Sequence, residues 1–149
     1  MNQDKMTRLL KDELILLEKS LIMLKYSLEN CQKIGIKDEY SMAELSEFEA
    51  LSSRYSRSSD ILTQKIIKTL FIFLQEDAKF FIDRCNLSEK MGFVDSSDDL
   101  YFIRKLRNDI AHEYCIVDIT EIFKPLLENS LLLLEIIDRV KKYIEENIL

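Results

Sequence analysis

Leucines repeat at alternating spacings of four and three residues along the first part of the chain. The repeat consists of Leu10, Leu14, Leu17, Leu21, Leu24 and Leu28. This spacing is typical of a helix that buries one seam, and it predicts a helix from Asp4 to Ile34 that ends at Gly35. A second apolar stripe widens the same face, which predicts that the helix packs against two neighbours in a bundle. That stripe consists of Leu9, Leu16 and Met23.

The rest of the chain also has few residues that break helices. Its 149 residues include two glycines and one proline, whereas a strand-rich fold needs many more turn residues. We therefore expect a single all-α domain over residues 1–149, built as an antiparallel bundle of four or five helices. A periodic stretch from Glu44 to Phe81 is either one long helix or two. The segment from Asn86 to Val94 is expected to be a connector with a short turn or helix.

The last two predicted helices each begin with a capping pattern. Ser96 and Asp99 have capping-box spacing, which predicts that a helix begins near Ser97. The same spacing recurs at Asp118 and Glu121, ahead of a final helix that is predicted to end near Asn147. Pro125 is expected to kink the early turns of that helix because it cannot donate a backbone hydrogen bond.

Charge and cysteine content exclude several classes of protein. The formal net charge of −6 argues against a general nucleic-acid coat protein, so any RNA site must be a local basic patch. The three cysteines, Cys31, Cys85 and Cys115, lack a CxxC spacing, and His112 is the sole histidine. This pattern favours reduced structural thiols over disulfides or a metal site, and no cofactor is expected. Because no secretory signal or membrane span is visible, we expect a cytoplasmic protein.

Functional side chains concentrate in residues 107–114, whose sequence is R-N-D-I-A-H-E-Y. A histidine such as His112 can exchange a proton near neutral pH, and Arg107 offers a planar set of donors that grips a phosphate. These are the groups that metal-free RNA cleavage requires, because the 2′-hydroxyl of the substrate attacks the adjacent phosphorus. Asn108 could orient the imidazole or bind a phosphate oxygen, and Tyr114 offers a hydroxyl donor.

One copy of this motif does not converge on one point. At 3.6 residues per turn, Arg107 and His112 lie about 140° apart around a helix. Two copies that face each other across a two-fold axis could place both residue types around one cleft. We therefore predict an isologous homodimer with the motif at its interface.

The pattern R-x-x-x-x-H-x-Y, with Asn directly after Arg, resembles the motif of the HEPN superfamily, and most of all that of its HepT-like ribonuclease toxins. The resemblance covers residues 107–114, the following Cys115–Asp118 and, more loosely, the helical layout. It implies a metal-independent endoribonuclease, active on RNA as a dimer, with Arg107 and His112 as the catalytic pair. It also implies a type VII toxin–antitoxin pair, in which an MntA-like nucleotidyltransferase antitoxin neutralises the toxin by AMPylation of Tyr114.

Other interpretations remain open at this stage. The motif could be a structural helix end in which Arg107 pairs with an acid, His112 caps carbonyls and Tyr114 packs against the bundle. The whole chain could instead be a non-catalytic nucleotide- or substrate-binding subunit of a small nucleotidyltransferase, or a helical interaction scaffold.

A second polar segment also allows two interpretations. Arg54, Arg57 and Asp60 follow one another at a spacing of three, so they either form an exposed ion-pair ladder or supply charge to an RNA cleft. In the second case Arg54 and Arg57 bind substrate and Asp60 holds an arginine in position.

Overall fold

The computed structural model describes residues 2–112 and 118–149, and in this part of the chain it contains helices and no strands. The predicted all-α fold is therefore confirmed. The α-helices are α1 (Gln3–Ile34), α2 (Met42–Asp60), α3 (Ile67–Phe73), α4 (Phe81–Lys90), α5 (Ser97–Ala111) and α6 (Phe123–Asn147). A π-helical segment, Ile61–Ile66, joins α2 to α3, and a 3-10 turn, Ile119–Ile122, leads into α6.

Helix α1 lies within one residue of its predicted start and ends where predicted. Asn2 caps its first turn by accepting a hydrogen bond from the Lys5 amide at 2.9 Å, and Gly35 follows it with a positive φ of 73°. The six leucines of the repeat are buried. The second stripe itself is not buried, because Leu9, Leu16 and Met23 are 39, 42 and 45% exposed. The predicted packing against more than one neighbour is confirmed, since α1 contacts α2, α3 and α6. The buried residues Glu13, Ser20 and Ser27 widen its packed face instead.

The stretch that begins near Glu44 is one continuous helical rod as far as Phe73. A capping box at Ser41 and Glu44 starts it, with both reciprocal hydrogen bonds present. Its middle widens into the π-helical segment, where the Thr63 hydroxyl donates to the Ser59 carbonyl at 2.8 Å. The predicted end at Phe81 was wrong, since the rod ends eight residues earlier.

The expected connector at Asn86–Val94 is mostly helix, because α4 covers Phe81–Lys90. The Phe80 amide donates to Asp83 at 3.2 Å, and Gly92, with a φ of 81°, follows the end of the helix. Polar and charged residues outnumber apolar ones in this short helix, so its sequence shows no clear apolar repeat.

Helix α5 begins at Ser97 as predicted, although its cap differs from the predicted capping box. The Ser96 hydroxyl accepts from the Asp98 amide at 3.2 Å, and the Ser97 amide donates to a Glu89 carboxylate oxygen at 2.8 Å. A carboxylate from α4 thus accepts from the first amide of α5, and the capping box predicted for Ser96 and Asp99 does not form.

Helix α6 ends at Asn147 as predicted, and Asp118 caps the 3-10 turn before it by accepting from the Thr120 amide at 3.0 Å. Pro125 is the third residue of α6. Its missing N–H falls in the first turn, where amides have no intrahelical partner, so the proline removes no helical hydrogen bond.

The core joins α1, α2 and α6 to the motif helix α5. Tyr55 is fully buried, and its hydroxyl donates to the Ile103 carbonyl of α5 at 2.9 Å. The rings of Phe48 and Phe123 stack 4.0 Å apart. The hydrogen bond fixes α5 against α2, and the stacked rings fix α6 against α2. No helix in the described ranges is both long enough and apolar enough to cross a membrane.

Candidate functional site

Arg107 lies on the side of α5 that faces α2, where it binds Asp60. Its Nε and Nη2 donate to the two carboxylate oxygens of Asp60 at 2.8 and 3.0 Å, which is a bidentate pair. Arg104 donates from Nη1 to the same carboxylate at 2.8 Å. The hydrogen bond with Asp60 raises the pKa of Arg107 above its ordinary value. Two cations share one carboxylate, so the cluster carries a local excess of positive charge.

The sequence of α5 accounts for this position. Its buried residues, Leu100, Ile103, Leu106 and Ile110, form the stripe that faces the core. Arg104 and Arg107 are one turn apart beside that stripe, which brings both guanidinium groups to the last residue of α2. Their side chains are 28 and 26% exposed, so each remains accessible from solvent.

His112 is the residue that follows α5, and its main chain leaves helical geometry at φ −109° and ψ 29°. Its backbone N–H donates to the carbonyls of Asn108 and Asp109 at 3.2 and 3.1 Å. The residue is exposed and lines a cleft of about 630 Å³ between α5 and the start of α6. Lys105 and Glu121 line the same cleft, so both signs of charge are present near the imidazole.

The other residues of the motif lie in different places. Asn108 is exposed and lines a separate cleft of about 460 Å³ between α4 and α5, together with Arg104 and Tyr101. Arg107 is not part of the lining of the His112 cleft, so one protomer does not bring Arg107 and His112 to a common cleft. Tyr114 lies outside the described residues.

An exposed aromatic patch lies on α5 between these two clefts. Tyr101 and Phe102 are 51 and 48% exposed, and their ring centroids are 5.8 Å apart. Ile82 of α4, which is 61% exposed, lines the Asn108 cleft as well. Clustered exposed apolar side chains next to the motif are the kind of surface that a protein partner covers.

The ion-pair ladder considered for Arg54, Arg57 and Asp60 does not form, since Asp60 binds the arginines of α5. Arg54 instead donates to the Ser27 hydroxyl at 2.6 Å, and its guanidinium lies 6.0 Å from the ring centroid of Tyr26. Arg57 is exposed. Both arginines line a cleft between α1 and α2.

Sequence reasoning missed Arg104 and the partner of Arg107. The spacing of three between Arg104 and Arg107 was a signal that both share one side of α5. Nothing in the sequence identified Asp60 as their common acceptor, because 47 residues separate it from Arg107.

Within residues 2–112 and 118–149, no group of three or more His, Cys, Asp or Glu side chains is arranged to hold a metal ion. Burial raises the pKa of the Cys31 and Cys85 thiols to about 12 and about 11. Comparisons with protein-family models, curated proteins and solved structures find no match to this chain.

Proposed function

We propose that this protein is a metal-independent endoribonuclease of the HEPN toxin type that acts as a homodimer. The observation that carries the proposal is the placement of Arg107 in the last turns of α5 and of His112 directly after the end of that helix. Asp60 holds the guanidinium in a fixed orientation, and the histidine lies at the exposed end of the helix beside a cleft. The proposal is thus supported by a guanidinium held by Asp60 and by an exposed histidine beside a cleft.

The chemistry assigns one role to each residue. His112 takes the proton of the 2′-hydroxyl, the 2′-oxygen bonds to the adjacent phosphorus, and the bond from phosphorus to the 5′-oxygen breaks as that oxygen takes a proton from a water molecule. The imidazolium of His112 then gives its proton to the hydroxide that the water leaves. Arg107 stabilises the negative charge on the phosphoryl oxygens. A guanidinium has five N–H donors, of which Asp60 accepts two, so three remain for the phosphate.

The second protomer brings the two residue types together. A two-fold interface built on the patch of Tyr101, Phe102 and Ile82 buries apolar surface and brings two copies of α5 close to each other. The clefts on either side of this patch then become one larger groove that contains motif residues from both chains.

The test is cleavage of single-stranded RNA by the purified dimer with a chelator present. Wild-type protein should cleave, and His112→Ala and Arg107→Ala should each lose at least about 10²-fold in rate. Arg139→Ala is the matched control, because Arg139 also pairs with carboxylates but lies on α6. If wild-type protein and His112→Ala are equally inactive and equally harmless on expression, the proposal is wrong. A non-catalytic subunit or scaffold then remains.

Regulation by a small nucleotidyltransferase belongs to the same proposal. Addition of AMP to Tyr114 would place a bulky anion beside the motif and block RNA both sterically and electrostatically. Coexpression with such an enzyme should raise the intact mass by whole AMP units in wild-type protein and leave Tyr114→Phe unchanged. An equal mass increase in Tyr114→Phe would show that another residue is modified.

A further inference from the structure

The cleft between α1 and α2 combines cationic and apolar side chains in an acidic protein. It has a volume of about 510 Å³, and Lys19, Arg54 and Arg57 line it. No carboxylate is among its lining residues, whereas four other clefts in the described part of the chain each include at least one Asp or Glu. With a net charge of −6, this local excess of cations is unusual for the chain. Such a cleft attracts an anion.

Hydrogen bonds fix the floor of the cleft and one of its arginines. Ser20 is buried, and its hydroxyl lies 2.9 Å from the hydroxyl of Ser58, so small side chains lie where α1 and α2 are closest. Arg54 is half-buried and fixed by its hydrogen bond to Ser27. No carboxylate in the described ranges lies within ion-pair distance of Arg54 or Arg57. Arg54 is thus oriented without being neutralised.

The α1 side of the cleft carries apolar side chains on both sides of Lys19. Leu16 and Met23 of α1 are 42 and 45% exposed and lie one above the other, two turns apart, while Ile61 contributes from the π-helical segment. An apolar wall beside cations matches the two halves of a nucleotide, whose base needs a flat apolar contact and whose phosphate needs guanidinium donors. The volume lies in the range of small-molecule sites.

The position of the cleft connects it to the catalytic arginine. Arg57 is three residues before Asp60 on α2, so the two side chains are neighbours on the helix surface. Asp60 in turn binds Arg107 and Arg104. A band of cations therefore runs from Lys19 across α2 to the motif helix.

We infer that the α1–α2 cleft binds one nucleotide of single-stranded RNA away from the cleaved bond, with its phosphate on Arg54, Arg57 and Lys19 and its base against Leu16 and Met23. The inference rests on the proposed ribonuclease function for the identity of the polymer. An unpaired strand fits better than a duplex, because only an unstacked base can turn toward the apolar wall.

The experiment measures binding of fluorescein-labelled single-stranded RNA to the His112→Ala dimer by anisotropy at several salt concentrations. In this background Lys19→Gln and Arg57→Gln should each lower the slope of log K against log salt by about 0.7, the value for one phosphate contact on a single strand. Together they should weaken binding about tenfold or more. Lys25→Gln is the matched control, since Lys25 is exposed on another side of α1. It should leave both quantities unchanged.

A second pair of variants tests the apolar wall. Met23→Ser should weaken binding without changing the salt slope, because it removes a base contact and no charge. Ile22→Ser is the matched control, as Ile22 is 71% exposed and does not line the cleft. All substituted side chains are exposed, and circular dichroism checks that each variant folds.

The outcomes separate this inference from the proposed function. If wild-type protein cleaves RNA and the Lys19→Gln/Arg57→Gln variant binds RNA like Lys25→Gln, the cleft is not an RNA site and the ribonuclease proposal stands. If wild-type protein does not cleave RNA and the variants still weaken binding, the cleft inference stands alone. If the Lys19→Gln/Arg57→Gln variant loses binding to a nucleotidyltransferase but keeps its affinity for RNA, the cleft is a protein contact and the inference is overturned.

Discussion

The carboxylate of Asp60 should stabilise the fold and also hold Arg107, the proposed catalytic arginine, in place. Asp60→Asn keeps the shape of the side chain and removes its charge, so Arg104 and Arg107 lose their common counterion. A hydrogen bond to a charged group contributes about 1.5–3 kcal/mol when buried, and an exposed ion pair contributes about 0–1 kcal/mol.

The Asp60 cluster lies between these limits, because its three side chains are 36, 28 and 26% exposed. Asparagine still offers one oxygen acceptor. We therefore expect the free energy of unfolding to fall by about 1–2 kcal/mol. For a domain of this size the corresponding loss in Tm is about 2–4 °C per kcal/mol.

The assay compares thermal unfolding of Asp60→Asn with that of Asp95→Asn. Asp95 also accepts a hydrogen bond from an arginine, Arg139, at 3.0 Å, but its side chain is 81% exposed. Its loss should cost no more than about 0.5 kcal/mol. Equal Tm values for the two variants would refute the reasoning that burial makes the Asp60 pair the stronger one.

Asp60→Asn also tests whether Asp60 orients the guanidinium of Arg107. Misplacement of a catalytic group by about 1 Å can cost about 10²-fold in rate, and Asp60→Asn should reduce RNA cleavage on that scale. Because Asp60 acts through Arg107, the substitution should have no further effect in an Arg107→Ala background. Additive losses would contradict a positioning role.

Three further predictions concern buried groups. Tyr55→Phe removes a buried hydrogen bond to α5 and should lower the free energy of unfolding by about 1–2 kcal/mol in urea denaturation, with no change in slope. Burial raises the pKa of Glu13, which accepts a hydrogen bond from the Thr69 hydroxyl, so the folded state binds its proton more tightly than the unfolded state does. Glu13 therefore contributes its full stability at pH values below its unfolded pKa of about 4.3, and this stability is lost as pH rises through the raised folded pKa. The Glu13→Gln variant should show a weaker dependence of the free energy of unfolding on pH, as measured by unfolding at several pH values. Cys31 and Cys85 are buried with raised pKa values and should react with a thiol reagent only as the protein unfolds, so rapid modification of either in folded protein would count against this packing.

The parts of the fold that could be predicted are those with a local cause. The leucine repeat of α1 and the start of α5 near Ser97 follow from short-range patterns, and both agree with the structure. The segment Asn86–Val94 was expected to hold a short turn or helix, and the structure has a helix there, but its start at Phe81 was not predicted because these mixed residues show no clear apolar period. Exposure of Leu9, Leu16 and Met23 could not be predicted either, since an apolar stripe does not specify whether a neighbour covers it.

The candidate site divides in the same way. Residue types and spacing in the segment 107–114 led to Arg107 and His112 as candidates, a choice that stays a prediction, and indicated that one copy does not bring them to one point, which agrees with their separate positions in the structure. The Asp60 acceptor and the α1–α2 cleft depend on pairs of helices that are distant in the sequence. Only the packing of the chain brings them together.

The π-helical segment has a consequence for chains of related sequence. A π turn is in effect an α-helix with one residue inserted, so Ile61–Ile66 holds one residue more than an α-helix of equal rise needs. A π-helix turns less per residue than the 100° of an α-helix, so six residues of π-helix and five residues of α-helix turn through nearly the same angle. Deleting one residue of this segment should therefore convert it to α-helix and leave α3 in register with α2, with Thr69 still facing Glu13 and Asp60 still paired with Arg107. The same deletion in a regular α-helical turn before Thr69 would rotate the rest of the rod by about 100°. Related chains can thus differ by one residue in this segment and keep the same side of the rod facing α1.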